Sequence, residues 1–213
     1  GGEHLFLVFF PLYPWLMRLF GLVIANPAAC GMFLSVVCYA AGCVYTFRLV
    51  CLDYDKEVAV NTVILLSVFP FSFFFGGIMT EGLFLFVTAA ALYYIRAHRW
   101  WLAILFGFFA TMTRTQGMLI GIAAGVEWLM QYRPVQMFKN RNFTNMKAFI
   151  LRGLSLFLML GGYLTYLLVN WKVDGYAFSY TVYQKAHWAN VIEAPWKVIA
   201  GLWKNATSPE LYD

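Results

Sequence analysis

From Phe69 to Gln131 the chain reads as two apolar runs joined by a four-residue polar turn, and each run has a charge pressed against it. The first run, FPFSFFFGGIMTEGLFLFVTAAALYYI, carries Glu81, and the second, LAILFGFFATMTRTQGMLI, carries Arg114. The turn is Arg96-Ala97-His98-Arg99. Apolar helices joined this tightly are antiparallel neighbours. Glu81 lies 16 residues before Ala97 and Arg114 lies 17 after it. At ~1.5 Å per residue, both charges stand roughly 24–26 Å from the turn. An ionisable side chain at membrane depth is costly and marks a functional site by default. The carboxylate and the guanidinium are therefore expected to meet near one end of the hairpin. Two readings stay open for them: a site facing substrate, or an ion pair that only pins two helices.

Composition supports membrane depth for these runs. The chain is 62% hydrophobic and 12% charged, against about 25% charged in soluble domains. The expected fold is all-α, a polytopic integral membrane bundle with six crossing helices. The spans read as Pro27–Val50, Glu57–Phe75, Thr80–Ile95, Trp100–Thr113, Thr115–Tyr132 and Phe149–Trp171. A single helix from Trp100 to Tyr132 would be about 50 Å long against a core of ~30 Å, so a tight reversal near Arg114–Gly117 is required. Three regions follow: an outer interfacial loop with a short helix (residues 1–25, helical from about Pro14 to Phe20), the six-span bundle (26–171) and an extracytoplasmic tail (172–213). In the tail, Trp196, Ile199 and Trp203 share one side of a helical pattern and Lys197 and Lys204 another, as in a helix lying on the membrane surface.

Lysine and arginine set the orientation. One side gathers Arg48, Lys56, Arg96, Arg99, Arg133, Lys139, Arg141, Lys147 and Arg152; the other holds Arg18, Arg114, Lys172, Lys185, Lys197 and Lys204. The richer side, with the shorter loops, is expected to be cytoplasmic. Glu81 and Arg114 then lie at the extracytoplasmic face. The net charge of +5 belongs to this topology, and no basic patch with stacking aromatics points to nucleic acid. Glu127 reads as structural, near the inner end of the fifth span. The sequon at Asn142 falls inside and is expected to be inert, whereas the one at Asn205 falls outside. Cys30, Cys38, Cys43 and Cys51 contain no CxxC pair and read as free core thiols. With three histidines, His4, His98 and His187, and no close carboxylate spacing, neither a metal site nor a cofactor is expected.

Four short motifs occur in order: Phe10-Pro11-Leu12-Tyr13-Pro14, Met79-Thr80-Glu81-Gly82-Leu83-Phe84, Thr113-Arg114-Thr115-Gln116-Gly117, and Tyr183-Gln184 followed by Trp188 and Pro195-Trp196. The set resembles the PIG-V family of mannosyltransferases, relatives of GPI mannosyltransferase 2 that include prokaryotic members, and the likeness covers nearly the whole chain. The resemblance implies a GT-C-type membrane glycosyltransferase. It would move mannose from a polyprenyl-phosphate donor to a glycolipid or glycan acceptor, as in GPI-anchor biosynthesis, at the extracytoplasmic face of a prokaryotic plasma membrane or the lumen of the endoplasmic reticulum.

The resemblance also implies site residues. Arg114 and Lys185 would stabilise the leaving phosphate, and Glu81 would position Arg114 or bind sugar hydroxyls. Tyr13, Gln116, Tyr183, Gln184, Lys185, His187 and Trp188 are the expected substrate-binding set. The family's main catalytic acid would precede Gly1, so the chain is expected to be a fragment that is inactive alone. Two other classes remain open. In a secondary transporter, a Glu–Arg pair would gate a polar path, though the charges sit at one face and no inverted repeat is evident. In a non-catalytic membrane subunit, the tail would be a docking surface.

Overall fold

The computed structural model describes residues 4–139, 144–188 and 194–207. The described residues are 82% helical, and no strand occurs among them. It divides into two compact units, residues 10–168 and residues 1–9 with 169–213.

The larger unit begins with α1 (Leu12–Phe20) and α2 (Pro27–Val50). Helix α1 starts earlier than the expected Pro14. Pro14 sits in the first turn, where a missing N–H leaves nothing unsatisfied. Helix α2 starts where the sequence places it: Asn26 Oδ1 accepts from the N–H groups of Ala28 and Ala29, and Pro27 occupies the first turn. Helix α3 (Lys56–Val68) is capped by Asp55, whose Oδ1 accepts from Val58 N at 2.9 Å. It stops seven residues short of the expected Phe75. Phe69 precedes Pro70 and is driven extended (φ −59°, ψ 137°). A short 3-10 turn at Ser72–Phe75 then leads towards α4.

Helices α4 (Glu81–Arg96), α5 (Trp100–Thr113) and α6 (Leu119–Tyr132) follow. Small residues let α2 and α4 approach closely. A Cβ on Gly82 would come within 2.6 Å of the Ser35 carbonyl oxygen, and one on Gly42 within 2.9 Å of Leu85. The reversal after α5 is real. Arg114 is extended, and Gly117 packs so tightly on α5 that a Cβ would lie 2.4 Å from the Ala110 carbonyl carbon. Helix α6 then runs back along the hairpin, since Trp100 Nε1 donates to Gln131 Oε1 at 3.0 Å. Arg133, in the left-handed region at φ 44°, ends α6 ahead of α7 (Pro134–Lys139).

The unit has a polar end. Arg96 makes a bidentate pair with Asp53, with Nη1 at 2.9 Å and Nη2 at 2.6 Å. The guanidinium holds the Asp53 carboxyl below its ordinary range. His98 Nε2 lies 2.9 Å from Glu127 Oε1. The expected sixth span is the continuous stretch Met146–Asp174, made of α8 (Met146–Leu156), a 3-10 segment at Phe157–Leu160 and α9 (Gly161–Asp174). Thr111 Oγ1 donates to the Met159 carbonyl at 2.6 Å and fixes that segment to α5. Cys30 and Cys38 are buried free thiols.

Only Pro27–Val50 and Met146–Asp174 are long and apolar enough to cross a membrane by length and composition among the described residues. Helices α3 to α6, at 13, 16, 14 and 14 residues, span roughly 20–24 Å each, short of a ~30 Å core. Large apolar side chains nevertheless face outward along the bundle, among them Leu65, Ile122, Leu154 and Phe157, each more than 60% exposed.

In the smaller unit, Leu7 is buried, and Asn170 Oδ1 accepts from Tyr180 N to tie α9 to α10 (Ser179–Trp188). Helix α11 (Pro195–Thr207) leaves Trp196, Ile199, Leu202 and Trp203 exposed. The side chains of Asn142 and Asn205, the two sequon positions, lie outside the described residues.

Candidate functional site

Two chain breaks put the charged pair in place. Glu81 is the first residue of α4, where the helix dipole favours a carboxylate. Arg114 follows the last turn of α5, where the dipole favours a cation. The hairpin brings these opposite dipole ends together at the end of the unit away from the Asp53–Arg96 pair.

Arg114 Nη2 donates to Glu81 Oε1 at 2.5 Å, and Nε donates to Thr80 Oγ1 at 2.9 Å. Its Cζ lies 5.8 Å from the centroid of the Phe84 ring. Nη1 takes part in neither bond. The pair sits at a partly wetted margin, with side chains 35% exposed for Arg114 and 26% for Glu81. Glu81 Oε2 is buried and has no hydrogen-bond partner among the described residues. A buried carboxylate oxygen left unpaired is unfavourable, so this atom is a ready acceptor for a hydroxyl that reaches it.

Behind the pair stands a buried polar relay. Tyr13 is 5% exposed. Its hydroxyl donates to the Gly31 carbonyl at 2.9 Å and lies 2.7 Å from Ser35 Oγ, which in turn bonds the Met79 carbonyl at 3.2 Å. Tyr13 thus reaches the segment that delivers Thr80 and Glu81, and its hydroxyl is engaged within the bundle. Gln116 is exposed in the 3-10 turn directly after Arg114.

The remaining expected residues lie on α10 in the smaller unit. Tyr183 donates to Asp174 Oδ1 at 3.2 Å. Gln184 is half-buried, and Lys185 and His187 are exposed. Trp188 closes α10, and its side chain lies outside the described residues. Two contributors escaped the sequence reading. Thr80 offers a hydroxyl to Arg114, and its position next to Glu81 was the only available signal. Ser35 lies in the apolar run of α2, and nothing near it in the sequence marks a polar link. No group of three His, Cys, Asp or Glu suited to a metal converges among the described residues.

The family model for Mannosyltransferase (PIG-V) matches residues 4–196. No curated protein and no solved structure matches the chain.

Proposed function

The chain belongs to the PIG-V family of mannosyltransferases, and we propose that it transfers mannose from a polyprenyl-phosphate donor to a glycolipid or glycan acceptor at the extracytoplasmic or luminal face of a membrane. The observation that carries the reading is the convergence of Arg114, Glu81 and Thr80 at the end of the unit opposite the basic loops. In the reaction, the acceptor hydroxyl gives its proton to a carboxylate and its oxygen attacks the anomeric carbon. The bond from that carbon to the phosphate oxygen breaks, and the lipid phosphate leaves with the electron pair. Arg114 stabilises the charge gathering on that phosphate. Glu81 holds the guanidinium through Oε1 and accepts a sugar hydroxyl at Oε2. Lys185, with Tyr183, Gln184, His187 and Trp188, is assigned to donor and acceptor binding, and Gln116 to the sugar.

The proposed architecture is a GT-C-type bundle with six crossings and α11 flat on the outer leaflet. Shortness of α3 to α6 is met by local bilayer thinning and by the flanking irregular segments. Outward-facing apolar side chains favour lipid contact along the bundle.

Two measurements test this reading. Membranes carrying the whole protein are expected to transfer labelled mannose from polyprenyl-phosphate mannose. Transfer from a nucleotide-activated mannose, with lipid-donor synthesis blocked, would overturn the donor assignment. For the face, single cysteines at Tyr54 and Gln116, in a chain whose four natural cysteines are replaced, are expected to behave oppositely. A membrane-impermeant maleimide should label Gln116→Cys in intact cells or sealed luminal-side-out vesicles, and Tyr54→Cys only after permeabilisation. Labelling of both from one side defeats the topology.

A further inference from the structure

Between Trp128 and Val173 the chain contains no Asp or Glu, yet it carries Arg133, Lys139, Arg141, Lys147, Arg152 and Lys172. Arg152 lies in the middle of α8, between Leu151 and Gly153. With Tyr132, Ala148, Leu151 and Ser155 it lines a cavity of about 370 Å³. Its Nε is buried and has no hydrogen-bond partner among the described residues. The guanidinium carbon lies 5.8 Å from the centroid of the Trp100 ring, a contact that offers the cation a π face but no acceptor oxygen.

Two other arginines of the larger unit have carboxylate partners. Arg96 has Asp53 and Arg114 has Glu81. The two acids that flank Arg152 in sequence are both engaged elsewhere: Glu127 by His98, and Asp174 by the Tyr183 hydroxyl. Ser155 supplies no acid either, and its hydroxyl donates to the Arg152 carbonyl at 2.7 Å. A guanidinium held against apolar surface needs an anion, and this stretch of chain provides none.

We infer that the cavity between the end of α6 and α8 binds an anionic phosphate group, that of a membrane phospholipid headgroup, with Arg152 as its principal ligand. The place fits the chemistry. Tyr132 closes α6 at the polar end, one residue from Gln131 and its bond to Trp100. Arg133 follows it directly, and Lys147 lies on the first turn of α8. Basic pockets between helices at a membrane margin take phosphate headgroups. The site is at the opposite end of α4–α6 from the Glu81–Arg114 pair, so it stands independently of the transfer reaction.

The test uses the full chain purified in a neutral detergent. Native mass spectrometry and thermal unfolding compare added phosphatidylglycerol, phosphatidylcholine and inorganic phosphate. The wild type is expected to retain phosphatidylglycerol over phosphatidylcholine by roughly five- to tenfold, and Arg152→Gln should abolish that preference. Stabilisation by inorganic phosphate alone, lost in Arg152→Gln, would keep the anion site but assign it to free phosphate. Equal retention of the two lipids with no phosphate effect overturns the proposal, as does an Arg152→Gln protein that keeps the preference. If Arg152→Gln fails to accumulate, Arg152→Lys replaces it. The lysine keeps the charge but loses the planar fork, and a preference unchanged from wild type in that variant also counts against the site.

Discussion

Replacing Arg114 with alanine is expected to reduce mannose transfer by about 10³-fold or more while the protein still accumulates in the membrane. The size follows from what the side chain does. Under the proposed reaction, a guanidinium in a partly dry margin, already fixed by Glu81 Oε1 and Thr80 Oγ1, would meet the leaving phosphate without reorganising. Arg114→Lys should recover little of the loss, because an ammonium cannot hold Thr80, Glu81 and a phosphate in one plane. The measurement is initial-rate transfer from polyprenyl-phosphate mannose, normalised to protein in the membrane fraction. Disappearance of the protein together with the activity would return the pair to the role of a helix pin. Retained activity would remove Arg114 from the reaction altogether.

Glu81→Gln should have the second largest effect, a fall of about 10²-fold, because the amide weakens the charge-assisted hold on Arg114 and loses a carboxylate oxygen for the sugar hydroxyl. The amide keeps the shape and can still accept from Arg114, so loss of folding is a poor explanation for such a fall. A carboxylate that merely positions Arg114 predicts something different. In that case Glu81→Gln costs far less than Arg114→Ala, and adding it to Arg114→Ala costs almost nothing further. Residues that act as one unit are non-additive in this way. The double variant therefore separates chemistry from positioning.

The meeting of Glu81 and Arg114 was legible because it depended on only two things, the rise of a helix and the shortness of the turn at Ala97. The bounds of Pro27–Val50 and Trp100–Thr113 were legible for similar local reasons: a cap at Asn26, and a reversal forced by length. The end of α3 was misread. The apolar pattern continues through Phe71, Phe73 and Phe75, and periodicity does not register that Pro70 forbids the helix at Phe69. The number of crossings is less secure in the sequence than composition suggests, because short helices such as α5 fill the apolar runs without reaching membrane length. The relay from Tyr13 through Ser35 to Met79 was illegible. Its members are 22 and 44 residues apart, and only tertiary packing brings them together.

The hairpin is fastened at both ends. At one end Arg96 grips Asp53, His98 meets Glu127 and Trp100 bonds Gln131; at the other Arg114 grips Glu81 and Thr80. A piston stroke of α4 by one turn, about 5.4 Å, would break the Arg96–Asp53 pair at one end and the Arg114–Glu81 pair at the other. The stretch between α3 and α4, residues 69–80, is the least regular part of this end of the unit. Its only regular structure is a 3-10 turn, and it is held by the Ser35–Met79 bond, the Thr80–Arg114 bond, the Tyr39–Phe75 stack and the packing of Ile78 on Gly31. The same twelve residues deliver the carboxylate. Any displacement of this segment would therefore move Glu81 and Thr80 and loosen the grip on Arg114.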